Sequence, residues 1–215
     1  MIAKAKSSFP GRSAKTILVL LFLASAIAAS ATVYTFFYTN ATGTVRAPDV
    51  TLAAGTDNSG TCSAYPCATV SISGTSDTAT VTLSLFKADA AFSPPPSTYY
   101  TNLVQIKDAN NAHSIQSISI TNVACSNAGG CSVDLGSVTV YYCTAQCTFD
   151  SNGGVSGGTQ VGHYTFTSAA SGSIGGTFPV SIAASATQYV EVVAYAGSGA
   201  TAGDTVSFKV AMQWV

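Results

Sequence analysis

Few side chains in this sequence are able to do chemistry: six cysteines, two histidines and a single glutamate. The cysteines fall in three close pairs, Cys62 with Cys67, Cys125 with Cys131, and Cys143 with Cys147. An even number of cysteines in an exported chain implies a disulfide framework. Many connectivities are open on paper, and the clustering favours the three local ones. Each would close a short loop and remove modest unfolded-state entropy, on the order of 2 kcal/mol at most. Such bridges pin loop ends and resist fraying. Zinc is the rival partner for cysteine thiolates, but no Cys-x2-Cys spacing occurs, and neither His113 nor His163 lies beside a cysteine pair. The sequence therefore predicts no metal ligand and no cofactor.

Catalytic signatures are sparse as well. The chain has no His-Glu-x-x-His, no Gly-x-Ser-x-Gly and no phosphate-binding loop. Glu191 stands in the strand-like run Tyr189–Val193, which predicts an outward-facing sheet residue. His163, next to Tyr164 in a strand pattern, reads as structural, and His113 ends the polar loop Asn110–His113. Serine is abundant, yet nothing local marks a Ser-His-Asp arrangement. No catalytic residue is assigned, and a non-enzymatic role is expected. Asn40-Ala41-Thr42 is a glycosylation sequon, so Asn40 is a candidate acceptor in an exported chain.

Charge excludes one broad class of partner. Only 8% of residues are charged, against roughly 25% in ordinary soluble domains. Beyond residue 31 there are four basic residues (Arg46, Lys87, Lys107, Lys209) against nine acidic ones, a formal −5. Nucleic-acid binding needs a basic face, which this chain lacks. Its surface must be built from Ser, Thr, Asn and Gly. Little charge repulsion keeps such molecules apart, so self-association is tolerated.

The first residues have a different character. Lys4, Lys6, Arg12 and Lys15 precede the apolar run Ile17–Leu23, and Ala24–Ala31 is rich in small residues. Ala26-Ile27-Ala28 and Ala29-Ser30-Ala31 both fit a small-x-small cleavage site, the pattern of a secretory signal read by signal peptidase. A retained anchor is the rival, since no charge falls between Lys15 and Arg46 and about 20 residues can span a bilayer. It would give a tethered surface adhesin or a type IV pilin-like subunit. Against it, Thr32–Tyr38 is β-branched and aromatic and reads as a strand. The expected organisation is a signal segment over 1–31, an N-terminal strand with its linker over 32–43, and a β domain over 44–215. Membrane contact is expected only through the segment before cleavage, and the product is expected to be secreted.

Past residue 31 no convincing helical period occurs. Strand patterns recur at Thr44–Ala53, Ala68–Ser73, Thr78–Phe86, Tyr99–Lys107, Ile115–Thr121, Ser132–Tyr142, Gln160–Thr167, Thr177–Ala183, Gln188–Ala196 and Thr205–Trp214. Ala79, Val81, Leu83 and Leu85 alternate with Thr80, Thr82 and Ser84, the mark of a sheet with one buried face. Ser93–Ser97 carries three prolines and must be a loop. Asn152–Gly158 is expected to be a second, flexible loop. About ten or eleven such strands predict an all-β fold of two packed antiparallel sheets, a jelly-roll-like sandwich.

These parts together resemble a known family. A small-residue signal end runs into Tyr34-Thr35-Phe36-Phe37-Tyr38, then the polar linker Thr39–Gly43, then Val50-Thr51-Leu52-Ala53-Ala54-Gly55-Thr56. This looks like the start of the camelysin/TasA-like biofilm fibre proteins, and of their archaeal relatives, the bundling pilins. The resemblance implies a jelly-roll subunit whose N-terminal strand completes a sheet of the next copy, so that the partner is another copy of itself, head to tail, in filaments that bundle and support biofilms. Val33, Thr35 and Phe37 would form one face of that strand, and Tyr34, Phe36 and Tyr38 the larger apolar face. Camelysin-type proteins are also described as metalloproteases. This chain lacks a zincin site, so that activity does not carry over. Its six cysteines and scarce charge depart from many relatives.

Signal cleavage is directly testable. The mature chain is expected to begin between Ala29 and Val33, as read by N-terminal sequencing or intact mass of extracellular material. A terminus at Met1 would instead identify a retained anchor.

Overall fold

A computed structural model describes residues 48–60, 67–85, 97–127 and 129–215. They form eleven strands and one helical turn: β1 Val50–Ala54, β2 Ala68–Ile72, β3 Thr78–Ser84, β4 Ser97–Asp108, β5 His113–Cys125, α1 Cys131–Asp134, β6 Leu135–Phe149, β7 Val155–Phe166, β8 Gly172–Ser173, β9 Val180–Ile182, β10 Thr187–Ala196 and β11 Thr205–Trp214. The first sheet runs β1-β4-β10-β6-β7. The second runs β2-β3-β11-β5-β8, with β9 also on β5. Every pairing is antiparallel. This is the expected all-β, two-sheet sandwich. The last two strands, β10 and β11, each hold the centre of a sheet.

The inner faces explain why these segments are strands. In β3, Ala79, Val81 and Leu83 are buried while the threonines between them are not. In β11, Val206, Phe208, Val210 and Met212 point inward. Facing them from the first sheet are Val104, Ile106, Val138, Val140, Val190 and Val192, all in one core with Ile118 and Ile120 of β5. Phe166 meets Phe208 edge-on at 5.6 Å, a favoured aromatic geometry. The buried Tyr142 hydroxyl donates to Gln188 Oε1, and Gln188 Nε2 donates to the Ser181 carbonyl at 2.9 Å. These bonds satisfy polar groups that would otherwise be costly to bury.

β5 keeps its apolar residues inside by slipping register. Its pairing with β11 shifts between Ser207 and Lys209 and again between Gln213 and Trp214. The first slip accommodates Asn122, whose φ is 53°, a left-handed conformation that asparagine tolerates better than most residues. Ile120 and Val123 therefore both face the core despite their odd spacing.

Several strand expectations need correction. Ser132–Asp134 is not strand but part of α1, because the Cys125–Cys131 bridge and Gly130, at φ 72°, turn the chain before β6 begins. β6 then continues well past Tyr142, to Phe149. The expected loop Asn152–Gly158 is shorter: the turn closes with Asp150 N–H donating to the Gly154 carbonyl, and Val155–Gly158 belong to β7. Thr177–Ala183 contracts to Val180–Ile182, since Pro179 offers no ladder donor. Residues 44–47 and 93–96 lie outside the described residues. Among the described residues no helix is long and apolar enough to cross a membrane.

Phe208→Ala is expected to lower stability by about 3–5 kcal/mol, read from urea unfolding. Removing the side chain of its outward-facing neighbour, Lys209, should change stability by less than about 0.5 kcal/mol.

Candidate functional site

The outer face of the first sheet carries most of the unusual chemistry. Alternation along β10 sends Val190, Val192 and Ala194 into the main core, and sets Val193 in a separate small cluster with Tyr141, Cys143 and Cys147, against which Tyr189 and Tyr195 pack. Glu191 lies on this same outer side, opposite Tyr141. The β4–β10 register slips between Val190 and Val192, so Glu191 has no partner residue on β4.

An ordinary outer face would be wet, but this one is covered. The β6–β7 pairing slips at four places between Tyr142 and Phe149, and repeated bulges bend a ladder. The end of the hairpin lies back over the sheet. Tyr141 Oη donates to the Gly153 carbonyl at 3.0 Å, and Tyr195 Oη to the Asn152 carbonyl. Gln146 Nε2 donates to Thr101 Oγ1 of β4 at 3.3 Å. Phe149 packs between Tyr141, at 5.1 Å, and Tyr99, at 5.9 Å. Gly158 makes the fold-back possible. Its φ is 82°, and a Cβ there would stand 2.3 Å from the Gln146 carbonyl oxygen, far inside contact distance.

Under this cover lies Glu191, 0% exposed. The expectation of an outward-facing residue is right about the side of the sheet and wrong about water. Its Oε1 accepts the Cys147 backbone N–H at 2.9 Å. Its Oε2 is buried with no hydrogen-bond partner. Burial pushes the carboxyl up to about 8, against the pull of the Cys147 N–H, and Asp57 adds to the rise. The group is therefore mostly protonated at neutral pH. Cys143 and Cys147 form a disulfide, as their spacing predicts, and both are fully buried. Their sulfurs and a Glu191 carboxylate oxygen all lie within 4.8 Å of one another. No local signal foretells this grouping, because more than forty residues separate Cys147 from Glu191 and only the fold-back joins them.

The other expected residues are scattered. Cys125 and Cys131 are bridged, pinning the loop before β6. Cys67 is also disulfide-bonded, while its expected partner Cys62 lies outside the described residues. So do Val33, Tyr34, Thr35, Phe36, Phe37, Tyr38 and Asn40. The two bridges seen are compatible with an extracellular protein. His163 lies on β7, 5.5 Å from the Tyr141 ring, with Nδ1 3.1 Å from Gln160 Nε2.

His113 opens β5 and is not a loop residue. Its Nδ1 is 2.7 Å from Oδ2 of the buried Asp108, its Nε2 3.8 Å from Asp49, and its ring meets Trp214 edge-on at 5.0 Å. The hydrogen bond to Asp108 is the main cause that raises its pKa. Asn110 bridges both acids, with N–H to Asp108 Oδ1 and Nδ2 to Asp49 Oδ1. This latch ties the entry to β1, the β4–β5 turn and the end of β11. No serine hydroxyl is hydrogen-bonded to His113 among the described residues.

Glu191 should leave a mark on the pH dependence of stability. The unfolded chain releases this proton near the ordinary carboxyl value of 4.5, the folded chain only near 8. Between those values the folded state binds more protons, so the contribution is fully present below about 4.5, falls as pH rises, and is gone above about 8. Each pH unit of that window is worth up to about 1.4 kcal/mol. Glu191→Gln should flatten this slope and be more stable than the parent at alkaline pH, as measured by urea unfolding across the window. A parallel slope in the variant would assign the pH dependence to another group.

No family model matches this chain, and neither a curated protein nor a solved structure matches it.

Proposed function

We propose that this chain is exported and serves as the structural subunit of an extracellular filament, a bundling pilus or biofilm fibre of the camelysin/TasA-like kind. Copies join head to tail when Thr32–Tyr38 of one adds a strand to a sheet of the next. The observation that carries this reading is the place where the chain enters the sandwich. Residues 32–47 precede β1, a strand of five residues that among the described residues lies at a sheet edge and pairs only with Val104–Asp108 of the twelve-residue β4. The matching edge of the second sheet, β2, is equally short. The two edges meet, with the Leu52 N–H donating to the Ser76 carbonyl of the β2–β3 turn at 2.6 Å. Sheet edges are where an incoming strand gains ladder hydrogen bonds.

Composition supports the same reading. A nearly uncharged polar surface offers little repulsion between copies. The Tyr34, Phe36 and Tyr38 face supplies the apolar area, each ring worth roughly 1.5–3 kcal/mol when buried, before ordering costs. A heterologous contact of this kind does not close on itself, so its product is an open filament.

Phe36→Asp tests the reading. A charge placed in the acceptor core should abolish filaments in electron micrographs while folded monomer persists, and deletion of residues 32–38 should do the same. Normal filaments from either variant would rule out strand donation.

A further inference from the structure

We propose that Cys143, Cys147 and Glu191 form a redox-gated site for a thiophilic divalent cation, with zinc as the type ligand. Three donor groups converge there from two strands, their ligand atoms within 4.8 Å of one another and all three residues buried. A second observation points to a ligand independently. Glu191 Oε2 is buried without a hydrogen-bond partner, and the disulfide beside it offers that oxygen no donor. A cation bound to the deprotonated carboxyl would give it a partner.

The disulfide is the gate. While Cys143 and Cys147 are bonded to each other, neither sulfur is a thiolate ligand. A dithiol reductant opens the bond by thiol–disulfide exchange. It gives two electrons and two protons, is itself oxidised to a disulfide, and leaves two thiols. A divalent cation then displaces three protons, one from each thiol and one from the Glu191 carboxyl, and takes two sulfurs and an oxygen as ligands. A tetrahedral zinc ion holds two thiolates about 3.8 Å apart. The Cα atoms of Cys143 and Cys147 are 6.1 Å apart, on a strand end that already curls, so the sulfurs need to separate by less than the width of an atom. Ala145 and Gln146, between the two cysteines, are exposed, so solvent lies close to the site. The curl of β6 between Cys143 and Cys147 is thus held by a covalent bond in the oxidised chain, and in the reduced chain a metal ion would tie it to Glu191 of β10.

Cobalt titration of the full chain tests this, because thiolate-to-cobalt charge transfer reports sulfur ligation directly. The chain is reduced with a water-soluble phosphine, which takes up oxygen from water to become the phosphine oxide and does not compete as a dithiol would. The reduced protein is expected to bind a single equivalent of cobalt, displaceable by zinc, and the oxidised protein none. Cys143→Ser with Cys147→Ser should abolish the band, although the remaining cysteines are reduced too. Glu191→Gln should weaken binding at least about tenfold. The proposal is overturned if the double serine variant binds as tightly as the reduced parent, if the oxidised protein binds equally well, or if Glu191→Gln has no effect. The last outcome also covers reduction that unfolds the chain, since an unfolded chain binds cobalt through its cysteines without regard to residue 191.

Discussion

Apolar packing between the inner faces of the two sheets is the constraint from which the rest of the molecule follows. It needs a side chain pointing inward at every second position, and β3, β10 and β11 supply it with Val, Leu, Ala, Phe and Met. With charge so scarce, this core works almost without help from ion pairs. On β3 and β11 the residues between the core positions are mostly Thr and Ser, with Lys209 and Gln213 exposed. Where the alternation fails, as at Ile115 and Ile118 or at Ile120 and Val123, the backbone slips a register to keep both members of the pair inside. Burial decides, and the ladder gives way.

A second cover lies outside the first sheet. The hairpin end of β6 and β7 folds back over β10, making the molecule locally three layers deep. Tyr99, Tyr141, Phe149 and Tyr195 supply the filling, and each phenol that is covered finds a carbonyl or hydroxyl partner at the rim. The same cover turns a surface glutamate into a neutral, water-free carboxyl. At the far latch the carboxyls do have a side-chain partner: Asp49 and Asp108 hold the His113 ring between them.

How much of this was legible in the sequence depends on the range of the interaction. Strand identity is set by local alternation, and the runs around Val81, Ile118, Val192 and Phe208 stand where periodicity places them. The pairing of Cys125 with Cys131 and of Cys143 with Cys147 is equally local. What could not be read was set by contacts far along the chain. Glu191 has apolar neighbours and a strand period, which put it on the correct side of the sheet, but nothing nearby records that residues 143–155 return to cover it. α1 is a similar case. Ser132 and Val133 have ordinary strand propensity, and the disulfide and the Gly130 turn override it. His113 looked like the end of a polar loop, because its partners Asp49 and Trp214 are distant in sequence.

The order in which the strands appear along the chain has a consequence for biosynthesis. β10 and β11 follow the other nine described strands along the chain, and each lies at the middle of its sheet. Until they exist, β4 and β6 have no common neighbour, and β3 and β5 are likewise held apart. The earlier strands can form hairpins such as β2–β3 and β6–β7, but neither sheet can close, and the long-range pairings that define the fold are slow to form in any case. Neither sheet of such a chain is complete until β10 and β11 have been added.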